Sequence, residues 1–272
     1  MSYMKFGNII SRPNRILLRE LVATDFKLRY QGSALGVLWS VLKPLFLFLI
    51  LYVVFDKFMG LGRNIEHFPV YLLLGIVLWT FFSEATNQGL QSIVARGDLI
   101  RKINFPKYII VISATVSALI NLAINLGVVM VFILLTGVEL RLEAILIIPL
   151  IVELYVLALA AAFFLTSLNV KFRDVGYLWE IFMQAAFYAT PILYPLQMVV
   201  SESEFAAKVL LLNPVAQVIQ DIRYVLITDE SLTLWNMLDA PWLLVPFVLI
   251  IFTCVLAAHY FKKNQGRFAE HL

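Results

Sequence analysis

The residues of this chain that could do chemistry are few, and they stand in rows inside long apolar runs. Glu84, Asn87, Gln88 and Gln91 fall at i, i+3, i+4 and i+7, one face of a helix, and Ser113, Ser117, Asn121 and Asn125 form a second row at i+4 spacing. Glu84 precedes Arg96 by 12 residues and Asn121 follows Tyr108 by 13, so a hairpin turning between them brings both rows to a similar depth. Facing rows of this kind either glue helices together or line a shared interior. Glu153 lies alone in a later apolar run, and Glu180 pairs by spacing with Gln184. If these runs cross a membrane, each carboxylate costs roughly 2.5–3.5 kcal/mol or more and must face protein or water. A proton relay is one reading of Glu153, but no histidine, lysine or second carboxylate partner is evident from the sequence.

Enzyme chemistry is not assembled. No G-x-x-x-x-G-K-[ST] phosphate loop occurs, so the chain is not expected to bind and hydrolyse ATP by that route. His67, His259 and His271 are scattered and Cys254 is the sole cysteine, which makes neither a metal site nor an intrachain disulfide. A transferase or phosphatase acting on a lipid-linked sugar would cluster Asp, His or Arg at an interface, and no such cluster stands out. A formal net charge of +3 is too small to argue nucleic-acid binding. No bound cofactor or metal is expected.

The elements that must position these residues are membrane helices. Hydrophobic residues make up 61% of the 272 and charged residues only 14%, with mean hydropathy +0.88, more apolar surface than a soluble fold can hide. Six apolar runs, 37–55, 68–94, 108–136, 144–168, 176–194 and 242–261, are long enough to span a core about 30 Å thick. The expected fold is therefore an all-α integral membrane protein, a single domain over 1–272 with six transmembrane helices across 37–261. The third run, 108–136, is too long to stand upright in hydrocarbon and must tilt or project. The first 30 residues hold no apolar core ahead of a cleavage site, so no removable signal is expected. Assigned to sides, 16 of the 21 Lys and Arg fall with the termini, the 95–108 loop and the Lys171/Arg173 loop, which makes that side and the 262–272 tail cytoplasmic.

Two further segments are not spans. Residues 13–30 form an amphipathic helix for the membrane interface, with Leu18, Leu21, Val22, Phe26 and Leu28 on one arc, and Asp25 and Arg29 are spaced to pair with each other. Such a helix either anchors the chain or receives an anionic lipid headgroup. After Pro191 and Pro195, two moderately apolar stretches, with Asn213-Pro214 as a helix start, read as short re-entrant or outer helices. Gly32 and Gly36 form a weak G-x-x-x-G packing signal.

The runs 37–55 and 176–194 are rich in rings: Trp39, Phe46, Phe48, Tyr52 and Phe55, then Trp179, Phe182, Phe187, Tyr188 and Tyr194. Rings of this kind face lipid, belt an interface, or stack on sugars along a path. Between the second and third spans, ARGDLIRKINFPKY (95–108) concentrates charge, and Leu99, Ile100, Ile103 and Phe105 among the charges offer a soluble partner a surface to grip. A transporter subunit powered from elsewhere fits this inventory better than an enzyme. With no duplication doubling the spans, a symmetric homodimer is the simplest route to a two-sided pathway.

Five stretches, in order, carry a resemblance: RELVATDFKLRYQGSALGVLWSVLKP (19–44), IRKINFPKYI (100–109), NVKFRDVGYLWEI (169–181), TPILYP (190–195) and LLNPVAQVIQDIRYVL (211–226). Together they resemble ABC-2 type permeases, particularly those exporting lipid-linked polysaccharides such as O antigen, teichoic acid or capsule. The resemblance implies a homodimer in the cell membrane joined to two cytoplasmic ATPase subunits, which carry the ATP and Mg. It implies ATPase coupling through Gly97, Asp98, Leu99, Ile100, Arg101, Lys102, Phe105 and Pro106, with Lys171, Arg173 and Asp174 in the next cytoplasmic loop. It also implies a path along the first and fifth helices, where Trp39, Phe46, Tyr52, Trp179, Phe187, Tyr188 and Tyr194 lie. Arg29, Tyr30 and Lys43 stand where a pyrophosphate-linked lipid would meet the entrance. An exporter of a drug or small lipid shares this architecture and is the alternative.

Overall fold

The computed structural model describes residues 11–103 and 105–271, and every regular element among them is helical. In chain order these are α1 (Arg12–Tyr30), α2 (Trp39–Tyr52), α3 (Phe68–Ala95), α4 (Gly97–Lys102), α5 (Tyr108–Thr136), α6 (Ile147–Asn169) and α7 (Val175–Ala189). There follow α8 (Leu196–Glu202), α9 (Glu204–Leu211), α10 (Pro214–Leu226), α11 (Leu234–Met237), α12 (Val245–Asn264) and α13 (Phe268–His271).

Five helical segments are long and apolar enough to cross a membrane: Gly36–Phe58, Phe68–Ala95, Tyr108–Thr136, Leu142–Asn169 and Trp242–Arg267. They match five of the six expected spans. The sixth, expected over 176–194, is shorter: α7 has 15 residues, about 22 Å at 1.5 Å per residue. The physical reason is Pro191. A residue before proline is driven out of the helical region, and Thr190 is extended at φ −86°, ψ 140°. The chain then turns through Pro195 into α8 and α9, and α9 meets α10 at 98°. Asn213 starts α10, its Oδ1 accepting from Val215 N at 3.0 Å with Pro214 in the first turn, as the sequence led one to expect.

The buried centre is α3, whose residues from Phe68 to Ile93 are mostly buried against α5, α6, α7 and α10. Gly89 lets α3 and α6 approach so closely that a Cβ there would collide with Ala162. At the opposite extreme, α2 and α7 leave most of their surface open, with Phe46, Ile50, Tyr177, Leu178, Ile181 and Tyr188 exposed. The amphipathic helix α1 does not lie flat. Its contacts climb α5, from Asn14 beside Tyr108 to Arg29 at Glu84, which in turn holds Asn121. Those 13 residues of α5 span about 20 Å.

Candidate coupling and translocation site

The short helix α4 follows α3 after a single residue, Arg96, whose backbone leaves the helical region at φ −116°, ψ 28°. Arg96 does more than turn the chain. Its guanidinium pairs with Asp25 of α1 and donates to Ser113 Oγ of α5 at 3.0 Å, so three helices converge where α4 begins. On α4 itself Ile100 is buried among Leu21, Ile93, Tyr108, Phe261 and Phe268, with Leu99 and Phe105 packed on the same cluster. The apolar residues that looked available to a partner are thus mostly turned inward, because the adjoining ends of α1, α5 and α12 supply a core for them. What remains on the surface is Asp98, Arg101, Lys102, Ile103 and Pro106. The chain's last turns brace this end: Phe268 packs edge-on to Phe261 with centroids 5.5 Å apart, and Lys107 Nζ donates to Gln265 O at 2.7 Å. Burial pushes the Lys107 ammonium below its usual pKa. In the loop after α6, Lys171, Arg173 and Asp174 are all exposed, and the Lys171 ammonium stands 4.8 Å from the Phe172 ring centroid.

Above α4 the two polar rows meet. Glu84 accepts from Arg29 of α1, from Gln88 Nε2 at 2.7 Å and from Asn121 Nδ2 at 2.7 Å, so one carboxylate ties α1, α3 and α5. Asn125 Nδ2 donates to Ser40 O of α2 at 3.1 Å. Asn87 instead bonds back to Ser83 O at 2.9 Å, and Gln91 is exposed. The expected pairing of Asp25 with Arg29 does not form. Each finds an opposite charge on α3 or at its end, because the face of α1 that carries both lies against the α3/α5 hairpin. Arg29, expected at a substrate entrance, is engaged with Glu84; Lys43 is exposed; the Tyr30 side chain lies outside what the structure describes, as does Lys5.

Of the expected path residues, Trp39, Phe46 and Tyr188 are exposed on α2 and α7. Tyr52, Trp179, Phe187 and Tyr194 are half-buried and engaged with neighbouring groups. Tyr52 stacks on Phe48 at 5.7 Å, Phe187 packs on Trp79 at 6.0 Å, and Trp179 Nε1 donates to Thr86 Oγ1 at 3.2 Å. Tyr194 closes the end of α7, its hydroxyl donating to Tyr188 O and Ala189 O, both at 3.3 Å. Glu180 and Gln184 are exposed on α7.

At the other end of the bundle stands Arg223, which the count of basic residues assigned to the outer side, on a segment read as a short re-entrant or outer helix. Arg223 is 0% exposed, and its guanidinium lies 3.5 Å from the Tyr71 ring centroid. It donates to Tyr71 O, Pro191 O, Ile192 O and Gln220 Oε1 at 2.6–3.3 Å. Gly75 makes the space: a Cβ there would lie 2.5 Å from Nη2. Arg223 does not belong in the side-counting of loop charges, which leaves the bias toward the α4 side stronger. Asp221, two residues earlier, comes near Glu153 of α6, a carboxylate neighbour that linear spacing could not reveal.

A multi-pass helical chain with one charged, partly exposed hairpin end and two open helices is the architecture of a transporter's membrane subunit. Residues 16–227 match the family described as ABC-2 type transporter, and the chain belongs to that family. It is a multi-pass membrane protein. Among its relatives, the O-antigen export system permease protein RfbA of Myxococcus xanthus is 28% identical over 258 residues, covering 95% of this chain and 96% of its own. Two proteins of the same description from Klebsiella pneumoniae are 28% and 25% identical over 257 residues each.

Proposed function

We propose that this chain is the membrane subunit of an ATP-driven exporter that carries a lipid-linked polysaccharide from the cytoplasmic leaflet across the cell membrane. The observation that carries this reading is the end-to-end similarity to permeases named for O-antigen export, which extends over 95% of the chain. A glycan cannot cross hydrocarbon unaided, since each unpaired hydroxyl costs several kcal/mol, roughly 4–8 on a water-to-alkane scale. The open, ring-bearing faces of α2 and α7 fit a route closed by a second copy: Trp39, Phe46 and Tyr188 are free to meet cargo or the partner protomer. On this reading Tyr52, Trp179, Phe187 and Tyr194 shape the wall from behind rather than touch the sugar.

Two copies of a separate cytoplasmic ATPase, holding ATP and Mg, dock on α4 and the 170–174 loop, through Asp98, Arg101, Lys102, Ile103 and Pro106 with Lys171, Arg173 and Asp174. Gly97, Leu99, Ile100 and Phe105 seat α4 on the bundle and pass its motion inward. Both termini and α4 then face the cytoplasm in the inner membrane. The test is affinity purification of the full chain from its native membrane. Recovery of an ATPase together with a lipid-linked glycan is expected; recovery of an ATPase with only a small hydrophobic cargo would favour the drug or small-lipid exporter, and glycan transfer by the chain without an ATPase would overturn the reading.

A further inference from the structure

Three buried acceptor oxygens at the contact of α6 and α10 have no hydrogen-bond donor: Glu153 Oε1, Gln217 Oε1 and Asp221 Oδ1. Gln217 and Asp221 are one turn apart on α10, 1% and 6% exposed, and Gln217 Nε2 donates to Asp221 Oδ2 at 2.7 Å. Glu153 reaches across from α6 to the same amide and within electrostatic range of Asp221. Native interiors rarely leave one such acceptor unmet, and here are three, on two carboxyl groups and the amide between them.

Among the described residues the surroundings supply no balancing cation: Arg141, before α6, pairs with Asp229 at 3.2 Å. Arg223 lies on the same helix, but its bonds go to Tyr71 O, Pro191 O, Ile192 O and Gln220 Oε1. From α3 the group on this side is Tyr71, occupied with Arg223; α12 brings Cys254; α11 brings Trp235, beside Asp221. From α9, Lys208 is paired to Glu204 at 2.6 Å, and Glu143 before α6 is exposed and acidic. A metal ion fits poorly, because the donor face of the Gln217 amide points into the cluster and a hard cation asks for six or more oxygens. Two carboxylates this close in a low-dielectric interior cannot both remain charged.

We propose that Glu153 and Asp221, spaced by the Gln217 amide, form a proton-binding site that joins α6 to α10. One carboxyl takes up a proton and its O–H donates to an orphan acceptor, Gln217 Oε1 or an oxygen of the opposite carboxylate, while the second carboxylate keeps the Gln217 Nε2 donor. Loss of the proton sets two like charges against each other and loosens α10 from α6.

Infrared difference spectroscopy of the full chain in lipid nanodiscs, titrated through neutral pH in H2O and D2O, tests the site. A protonated-carboxyl C=O band sensitive to deuterium is expected within that titration. The band should vanish in the Glu153→Gln, Asp221→Asn double variant and change its titration in either single one. If the double variant does not fold, the unmodified chain still decides: the band must titrate with a concerted change in amide I, and independence of the two overturns the coupling of proton to helix contact. A band unchanged in a folded double variant, or no such band, overturns the site. A band that responds to Na+, K+ or Mg2+ at fixed pH overturns it in favour of a cation.

Discussion

The two ends of the bundle bury charge by opposite means. At the α4 end two pairs of partly buried charges meet their opposites, Asp25 with Arg96 and Arg29 with Glu84, each pair joining α1 to the α3/α5 hairpin. Among the described residues at the α10 end, Arg223 has no carboxylate partner and is satisfied by backbone carbonyls and Gln220 Oε1, while the nearby carboxyl groups of Glu153 and Asp221 have no cation. The difference follows from what each end must hold. Paired charges tie α1, α3 and α5 to one another. Arg223 instead serves backbone: α7 stops short at Pro191, which leaves non-helical carbonyls at membrane depth, a situation tolerated only where protein supplies donors. One side chain supplies them to the end of α7 and to the first turns of α3.

Removing Arg223 should therefore do the most damage. Arg223→Leu strands the non-helical carbonyls of Pro191 and Ile192 without donors and removes a second donor from Tyr71 O, at about 1–3 kcal/mol for each stranded group and about 3 kcal/mol or more together. Thermal unfolding in detergent should show a large drop in midpoint, with Arg223→Lys intermediate because it keeps the charge and only part of the fork. Gly75→Ala should mimic it by displacing the guanidinium. An unchanged midpoint in Arg223→Leu would mean that other donors serve the end of α7.

The paired end should respond less, and in a way that reveals pairing. A double-mutant cycle with Asp25→Asn and Arg96→Gln is expected to give a coupling of about 1–3 kcal/mol, since both groups are partly buried and hydrogen-bonded. The exposed i,i+4 pair of Glu204 and Lys208 should give no measurable coupling. Equal couplings would erase the distinction drawn between a structural tie and a surface contact. Smaller still is Trp179→Phe, which keeps the ring on α3 and removes only the bond to Thr86 Oγ1. About 1 kcal/mol is expected, readable in the same unfolding assay.

How far these features were legible in the sequence depends on whether they follow from spacing along one helix. Five of the spans, the start at Asn213 and the two polar rows are periodic or local signals, and they came through; the fifth apolar run, read as continuing to 194, stops at Pro191 instead. Partner choice did not. Asp25 and Arg29 sit one turn apart, and local spacing favours their pairing; only the docking of α1 along α5 shows that each meets a charge on α3 or at its end instead. Ile100 reads as a sticky residue in a charged loop, and only the convergence of α1, α5 and α12 buries it. Arg223 carries the hardest lesson. Its segment reads as a short re-entrant or outer helix, which counts the arginine with the outer charges, and nothing local says that its guanidinium is wholly buried.

The smallest expected effect on the fold is at the surface of α4, where the proposed function docks the ATPase. Arg101 and Lys102 are exposed and make no ion pair among those described, so Arg101→Glu with Lys102→Glu should shift stability by no more than about 0.5 kcal/mol. Neither side chain touches the Asp25–Arg96 tie. If α4 is where the ATPase grips, reversing two charges on its outer face should sharply reduce co-purification of the ATPase while the unfolding midpoint stays put. Ile100→Ala is the converse variant: it hollows the cluster under α4, lowers the midpoint by about 2–5 kcal/mol of stability, and leaves the docking surface chemically unchanged. Loss of partner in the first and retention of partner, with weakened export, in the second would separate gripping from transmission. If Ile100→Ala loses the partner while the charge reversal keeps it, the grip lies in the apolar residues after all, and α4 must open before it docks.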